Sequence, residues 1–384
     1  MATWLLPEFI EDILPAEARA IECVRRRILD RFEVHGYELV MPPLLEYLES
    51  LLTGTGHDLD LQTFKLVDQL SGRMLGVRAD ITPQVARIDA HLLNRQAVTR
   101  LCYAGSVLHT RPSGLNATRE PLQIGAEIYG HHGIESDIEI QRLMMIALGE
   151  SGIPSVYLDL GHVAVFRTLI RAAKANAELE AQLFHAMQLK DVPHIRSLSR
   201  SLDRRTREAL GLLPELYGGP EVLEIARRKL PPHPEIRTAL DTLTAVSRGL
   251  HDIARIRCFD LAELRGYHYH SGIVFAAYAD GWANALARGG RYDEVGKAFG
   301  RARAATGFSM DLRQLVAAAP AGDGPSRILA PYLPRNAALQ RRIEALRRRG
   351  EIVIEDLPGH AAARSELTCD RRLVRRGGRW IIVK

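Results

Sequence analysis

The sequence predicts an α+β protein: a hairpin-rich mixed sheet flanked by helices, with a helical insertion and a small basic α/β module at the C-terminal end. Three observations predict it. Strand-like and helix-like runs alternate without the regular spacing of repeated βαβ units, and two strand-like runs face each other across a long loop. Over residues 173–250 the pattern changes to short amphipathic helices broken by Gly218-Gly219-Pro220 and Pro231-Pro232. Beyond residues 317–325, rich in Ala, Pro and Gly and read as a linker, a separate rhythm begins. The expected divisions are a core in two parts, 1–172 and 251–316, the insertion at 173–250, and the terminal module at 326–384.

The first long helix is expected over Pro15–Val34, with Ile21, Val24, Ile28, Leu29 and Phe32 at helical spacing and Gly36 just beyond as a stop. Residues 37–41 alternate as a strand toward Pro42-Pro43. These prolines lack the N–H a ladder needs, so the strand must end or lie at an edge, where a partner chain can meet it. Further strands are expected at residues 64–67, 74–77, 100–107, 122–129, 156–160, 273–277 and 307–310, with helices at 83–93 and 138–149. The stretch 108–121 contains Pro112, Gly114, Asn116 and Pro121 and reads as a hairpin loop able to close over a ligand. In the terminal module the expected elements are strands at 328–330, 352–355 and 380–383 and a helix at 335–349.

At 384 residues the chain exceeds what one ordinary core serves, so more than one module is expected. With 46% hydrophobic and 25% charged residues and a mean hydropathy of −0.10, it can bury a core and remain soluble. No run approaches the roughly 20 apolar residues of a membrane span, and the first twelve residues carry acids and no basic stretch. Neither a span nor a signal peptide is expected, and the expected location is cytoplasmic. Cys23, Cys102, Cys258 and Cys369 lie far apart without a Cys-x-x-Cys pair, which fits neither a disulfide framework nor a zinc site; they read as core thiols.

The net charge of +5 is 51 Lys and Arg minus 46 Asp and Glu, modest for this length. Residues 335–384 hold 13 basic and 6 acidic residues, a local +7 that leaves −2 for the rest. A nucleic-acid or acidic-partner surface is one reading. The favoured one is the solvated face of a helix whose Leu339, Ile343 and Leu346 point inward, so nucleic acid is not an expected partner.

No Gly-x-x-x-x-Gly-Lys-[Ser/Thr], Gly-x-Gly-x-x-Gly after a strand, His-Glu-x-x-His or Gly-x-Ser-x-Gly occurs, which removes the commonest nucleotide, zinc-protease and hydrolase readings. His131-His132 reads as a plain loop pair. His268 and His270 would share a face if on a strand, but Tyr267 and Tyr269 beside them fit an aromatic cluster equally, so no metal or cofactor is expected.

Three segments place polar residues within apolar runs. In Arg78-Ala-Asp-Ile-Thr82-Pro, the acid and hydroxyl precede a helix and read as a cap or as ligand contacts. In Gln123-Ile-Gly-Ala-Glu127, residues 123, 125 and 127 share a face, and Gly125 between two long polar side chains leaves a hollow for a small ligand. The third comprises Leu264-Arg265-Gly-Tyr-His-Tyr269-His270-Ser-Gly272-Ile-Val-Phe275, Leu286-Ala-Arg-Gly-Gly-Arg291-Tyr-Asp293 and Thr306-Gly307-Phe-Ser-Met310-Asp-Leu-Arg-Gln314-Leu.

These segments, in this order over residues 5–315, resemble the histidyl-tRNA synthetase family of class II synthetases. The resemblance implies a six-stranded antiparallel sheet flanked by helices, a dimer formed through the first motif, a helical insertion and a separate anticodon-binding domain. It also implies a histidine pocket: Asp80 and Thr82 at the amino group with Gln123 alongside, Glu127 and Tyr269 at the amino group or imidazole, His270 at the ring end, and Arg265 as the cation for the carboxylate. A histidine zwitterion needs such acceptors, donors and a cation.

The departures from the family pattern carry the function. The arginine that meets the ATP α-phosphate falls at His109, and the adenine-side arginine at Gln314. Histidine and glutamine supply no fixed positive charge near pH 7, and losing one preorganised donor costs about 10²–10³ in rate. Arg111 or Arg119 is a possible substitute from the loop. The family's acidic and tyrosine positions read His268 and His270, and the tail is short for an anticodon domain.

A synthetase-like chain that keeps histidine recognition without the ATP-site arginines resembles the regulatory subunits of ATP phosphoribosyltransferase. That resemblance implies no catalysis of its own, assembly with a short-form catalytic subunit, dimerisation, and feedback by histidine as effector in histidine biosynthesis. The alternatives are a divergent active histidyl-tRNA synthetase, supported by Arg265 and the basic tail, and a non-catalytic tRNA-binding regulator.

Overall fold

The first helix runs where its apolar spacing demands, α1 (Pro15–Val34), with Ile21, Val24, Ile28 and Phe32 buried and Pro15 at its first turn, where no N–H is needed. The computed structural model describes residues 4–54, 57–112, 114, 117–320, 324–359 and 361–384. It divides into two compact units, residues 1–320 and 321–384. Asn116 and residues 321–323 of the expected linker lie outside the described residues.

After α1 come β1 (Glu38–Leu39), β2 (Leu45–Tyr47), α2 (Leu48–Leu51), α3 (His57–Gln62), β3 (Phe64–Val67), β4 (Met74–Val77) and α4 (Thr82–Arg87). α4 passes directly into a π-helical turn, Ile88–Leu93. The long hairpin is β5 (Thr99–Ser106) and β6 (Leu122–Tyr129), followed by α5 (Ile134–Glu150), β7 (Val156–His162) and α6 (Ala164–Ala172). A helical stretch follows: α7 (Ala177–Gln188), α8 (Val192–Leu198), α9 (Arg204–Leu212), the short β8 (Tyr217–Gly218), α10 (Glu221–Lys229) and α11 (Pro234–Gly249). The first unit closes with β9 (Arg255–Asp260), β10 (Ile273–Ala279), β11 (Ala287–Arg291), β12 (Ala305–Asp311) and α12 (Leu312–Ala318).

Nine strands form one sheet in the order β1-β5-β6-β12-β11-β10-β7-β9-β8. The six from β5 to β7 are antiparallel throughout. Parallel pairs stand at the margins, β1 on β5 and β7 on β9. The expected strand at 37–41 shrinks to two residues at the sheet margin, as the prolines that follow it require. A separate three-stranded sheet, β2-β4-β3, lies beside it in the chain.

The helical residues 177–249 contribute Leu183, Met187, Leu210 and Leu243 to the same apolar cluster as the sheet residues Ile124, Leu158 and Phe308. Burial of each such side chain contributes about 1.5–3 kcal/mol. Two buried arginines bracket the sheet. Arg303 binds both oxygens of Asp89 at 2.7 and 3.0 Å, and Arg291 ties β11 to the start of α5 through Asp137 at 2.9 Å and Ser136 at 2.9 Å. Removing one partner of such a pair leaves an uncompensated buried charge, costing about 3–5 kcal/mol.

The expectation of four core thiols is corrected: Cys102 alone is buried, Cys258 and Cys369 are partly exposed, and Cys23 is exposed on α1. Cys23 falls just outside the stripe that Ile21, Val24 and Ile28 bury.

The second unit is a four-stranded sheet, ordered 14-13-15-16 by chain position, built from β13 (Arg327–Pro331), α13 (Ala337–Arg347), β14 (Ile352–Asp356), β15 (Arg371–Arg376) and β16 (Arg379–Val383). Leu339, Ile343 and Leu346 of α13 are buried in its core, so the arginines between them face outward as expected. The strand at 371–376 was not expected from the sequence.

Candidate functional site

Alternation along the antiparallel strands brings Gln123, Gly125 and Glu127 of β6, Gly307, Ser309 and Asp311 of β12, and Arg288 and Gly290 of β11 to one face. On this face an inner cavity of about 160 Å³ is bordered by Asp80, Thr82, Glu127, Tyr269, His270 and Arg288. It adjoins an outer cleft of about 330 Å³.

Glu127 lies at the floor, 1% exposed, over Gly307, where any Cβ would collide with its carboxylate. It accepts hydrogen bonds from Thr82 Oγ1 (3.2 Å), Tyr103 Oη (3.1 Å) and Tyr292 Oη. Burial pushes its carboxyl up to about 8, against the opposing pull of these hydroxyls. The hollow expected over Gly125 is filled instead: Tyr103, directly across the hairpin, places its hydroxyl where a Cβ would stand.

Asp80 is held in place by the chain around it. Its Oδ1 accepts from Gln123 Nε2 at 2.7 Å and from the Thr82 N–H at 3.1 Å, while Gln123 Oε1 accepts the Ile81 N–H at 2.9 Å. Asp80 thus satisfies the first amide of α4 from the position before the N-cap Ile81, which has no side-chain cap of its own, and also borders the cavity.

His268 and Tyr269 lie in a turn and His270 just after it, none on a strand, so the strand alternation that would pair the two imidazoles does not apply. His268 packs on Phe184 of α7 and on Tyr267. Tyr269 and His270 border the inner cavity, and Tyr269 Oη and His270 Nδ1 are buried without a hydrogen-bond partner. Burial lowers His270 to about 4, so its ring is neutral at pH 7 and offers one donor and one acceptor. Arg167 holds the turn by donating to the carbonyls of Tyr267 (2.8 Å) and His270 (2.9 Å).

The outer cleft brings together the two positions read as lost ATP-site cations. His109 and Gln314 both line it, with Asp80, Gln123, Arg288 and Asp311. His109 Nε2 bonds the Ala79 carbonyl at 2.9 Å, and its Nδ1 and Gln314 Oε1 are buried without partners. Arg119 does not substitute: its guanidinium donates to the carbonyls of His109 (3.1 Å) and Glu8 (3.4 Å) and lies over the Phe64 ring.

Arg265 is not among the residues lining either cavity. Its guanidinium reaches Tyr278 Oη at 3.4 Å and lies 3.9 Å from Glu263. Arg288 lines both cavities. Sequence reasoning also missed Tyr103 and Tyr292, which bind Glu127. Tyr103 was detectable as the tyrosine opposite Gly125 once the hairpin register is drawn.

The fold and the site define a protein of the histidyl-tRNA synthetase type. The family model described as histidyl-tRNA synthetase matches residues 9–315, and one described as the ATP phosphoribosyltransferase subunit HisZ C-terminal domain matches residues 325–383. The chain belongs to the family of ATP phosphoribosyltransferase regulatory subunits. Its relatives of that name include those of Nitrosospira multiformis, 59% identical with 100% of this chain and 98% of the other covered, and Paraburkholderia phymatum, 60% identical with 100% and 99% covered. Among solved structures, an ATP phosphoribosyltransferase regulatory subunit/histidyl-tRNA synthetase from Bacillus halodurans has a TM-score of 0.83 and 28% identity, covering 95% of this chain and 96% of that one. A Nostoc histidyl-tRNA synthetase shares the fold at a TM-score of 0.77 and 15% identity, covering 100% and 97%.

Proposed function

We propose that this chain is a regulatory subunit of ATP phosphoribosyltransferase without catalysis of its own. In this reading it activates a short catalytic subunit in the first step of histidine biosynthesis and carries feedback inhibition by histidine. One observation carries the reading: a cavity rich in acceptors adjoins a cleft lined by His109 and Gln314, where the family resemblance expects two cations. Adenylation builds charge on the α-phosphate, and each missing donor costs about 10²–10³ in rate.

Histidine fits the inner cavity by its groups. The ammonium goes to Asp80 and Glu127, with Gln123 and Thr82 fixing those carboxylates, and the ring nitrogens meet Tyr269 Oη and His270 Nδ1. Arg265, the carboxylate's cation in the family resemblance, lines neither cavity and is turned to Tyr278 and Glu263. Feedback requires histidine to bind the inhibited arrangement of the complex more tightly than the active one, and linkage makes the effect reciprocal. Residues 1–172 and 251–316 then form the effector-binding core, 173–250 its insertion and 326–384 a terminal module. Self-association is supported by the exposed apolar side chains Leu45, Tyr47, Val67 and Met74 of the β2-β4-β3 sheet. Among the described residues no helix is long and apolar enough to cross a membrane, which accords with a cytoplasmic complex.

The test uses the chain co-expressed with its short catalytic subunit. Glu127→Ala and Gln123→Ala are expected to raise the histidine concentration for half-inhibition by about tenfold or more while the subunits still co-purify. Unchanged inhibition in both variants counts against the cavity. Pyrophosphate exchange by the isolated chain with histidine, ATP and magnesium would give the ligase reading instead. Salt-dependent tRNA affinity requiring residues 335–384 would give the tRNA-binding one.

A further inference from the structure

Arg288 and its strand neighbour Ser309 stand on the sheet face where the two cavities meet. Asp80, Arg288 and Ser309 line both the inner cavity and the outer cleft. Inward lie Glu127, Tyr269 and His270; outward lie His109 and Gln314. An amino acid whose ammonium and ring occupy the inner cavity has its carboxylate at this junction. A ligase would meet the α-phosphate there.

The junction is chemically uneven. Glu127 borders the inner cavity and Asp311 the outer cleft, whereas Asp80 and Arg288, one of each sign, line both. Among the described residues its guanidinium makes no hydrogen bond or ion pair, unlike Arg265, which reaches Tyr278 and Glu263. Its strand fixes its direction, since Arg288 pairs with Ala276 on one side and Ser309 on the other, and neither short side chain stands in its way. Its side chain is exposed at the junction, and its pKa is lowered by desolvation first and then by the like charge of Arg265, with Tyr278 and Glu263 opposing the shift.

Resting on the histidine reading above, we propose that Arg288 is the carboxylate clamp of this cavity and sets its selectivity for the free amino acid. A fork of guanidinium donors bound to the carboxylate holds it as an anion at the point where a synthetase activates it. The same residue thus gives discrimination against ligands with the amine and imidazole but no carboxylate.

Titration calorimetry on the full chain with L-histidine and L-histidinol, whose alcohol replaces the carboxylate, tests this. The native chain is expected to prefer histidine by about 10- to 100-fold. Arg288→Gln is expected to remove most of that preference by weakening histidine alone, with histidinol affinity changed less than about threefold, and Arg288→Lys to restore part of it. Equal weakening of both ligands in Arg288→Gln overturns the clamp, as does loss of the preference in Arg265→Gln with Arg288→Gln unchanged. Failure of the native chain to bind histidine at all would instead defeat the reading on which the clamp rests.

Discussion

Glu127 is the residue on which binding and stability oppose each other. The unfolded chain releases this proton near 4.5, whereas the folded chain holds it to about 8 because burial disfavours the charge. Stability therefore falls as pH rises through that window and levels beyond it, by a few kcal/mol on an order-of-magnitude basis. Glu127→Gln keeps the shape and removes the charge. It is expected to melt higher than the native chain at pH 8.5, with the gap closing toward pH 5, and to lose histidine binding. A variant that melts lower at both pH values would mean that the hydroxyls of Thr82, Tyr103 and Tyr292 need the carboxylate more than burial opposes it. That Gln123 and Glu127 share a face was legible from the alternation of their strand, and Asp80 entered only through the family resemblance, while Arg288 and Tyr292 lay inside a recognised motif but received no role because the strand that carries Arg288 was not recognised.

At the scale of elements, that strand explains the miss. β11 reads Ala-Arg-Gly-Gly-Arg, with no β-branched or aromatic residue, and is extended because β10 and β12 pair with it on both sides. β15, with four arginines among its six residues, is held the same way by β13 and β16. Propensity is a weak guide where tertiary pairing decides. By contrast β3, β4 and β6 carry their own alternation and turn signals, and their limits coincide with the sequence reading. The glycines of these strands give a paired prediction. In Gly307→Ala the added methyl meets the Glu127 carboxylate and the Ala126 carbonyl on a strand with no freedom to shift, so a loss of roughly 1–3 kcal/mol and of histidine-dependent protection is expected in thermal melts. Gly149→Ala in α5, where nothing lies within 4 Å, is expected to gain up to about 1 kcal/mol.

For the whole molecule, the exposed apolar sheet is the feature a single chain leaves unexplained. Val67 is 59% and Met74 40% exposed, and Leu70 between their strands is 96% exposed. Light scattering of Val67→Asp with Met74→Asp is expected to give a monomer where the native chain gives a dimer, with the apolar core unchanged by circular dichroism. A native monomer would remove this face from the assembly. The sequence reading foresaw α13 of the terminal unit, because three buried residues at helical spacing outweigh a run of arginines, but missed β15, which joins β13 to β16, and the unit's charge does not by itself reveal what it meets. A last consequence follows if the proposed effector sits over the buried proton of Glu127. A ligand that binds the folded chain and not the unfolded one protects it, so scarcity of that ligand would leave this subunit at its most fragile, and cellular turnover of the protein would then follow nutrient supply even where its catalytic partner is at rest.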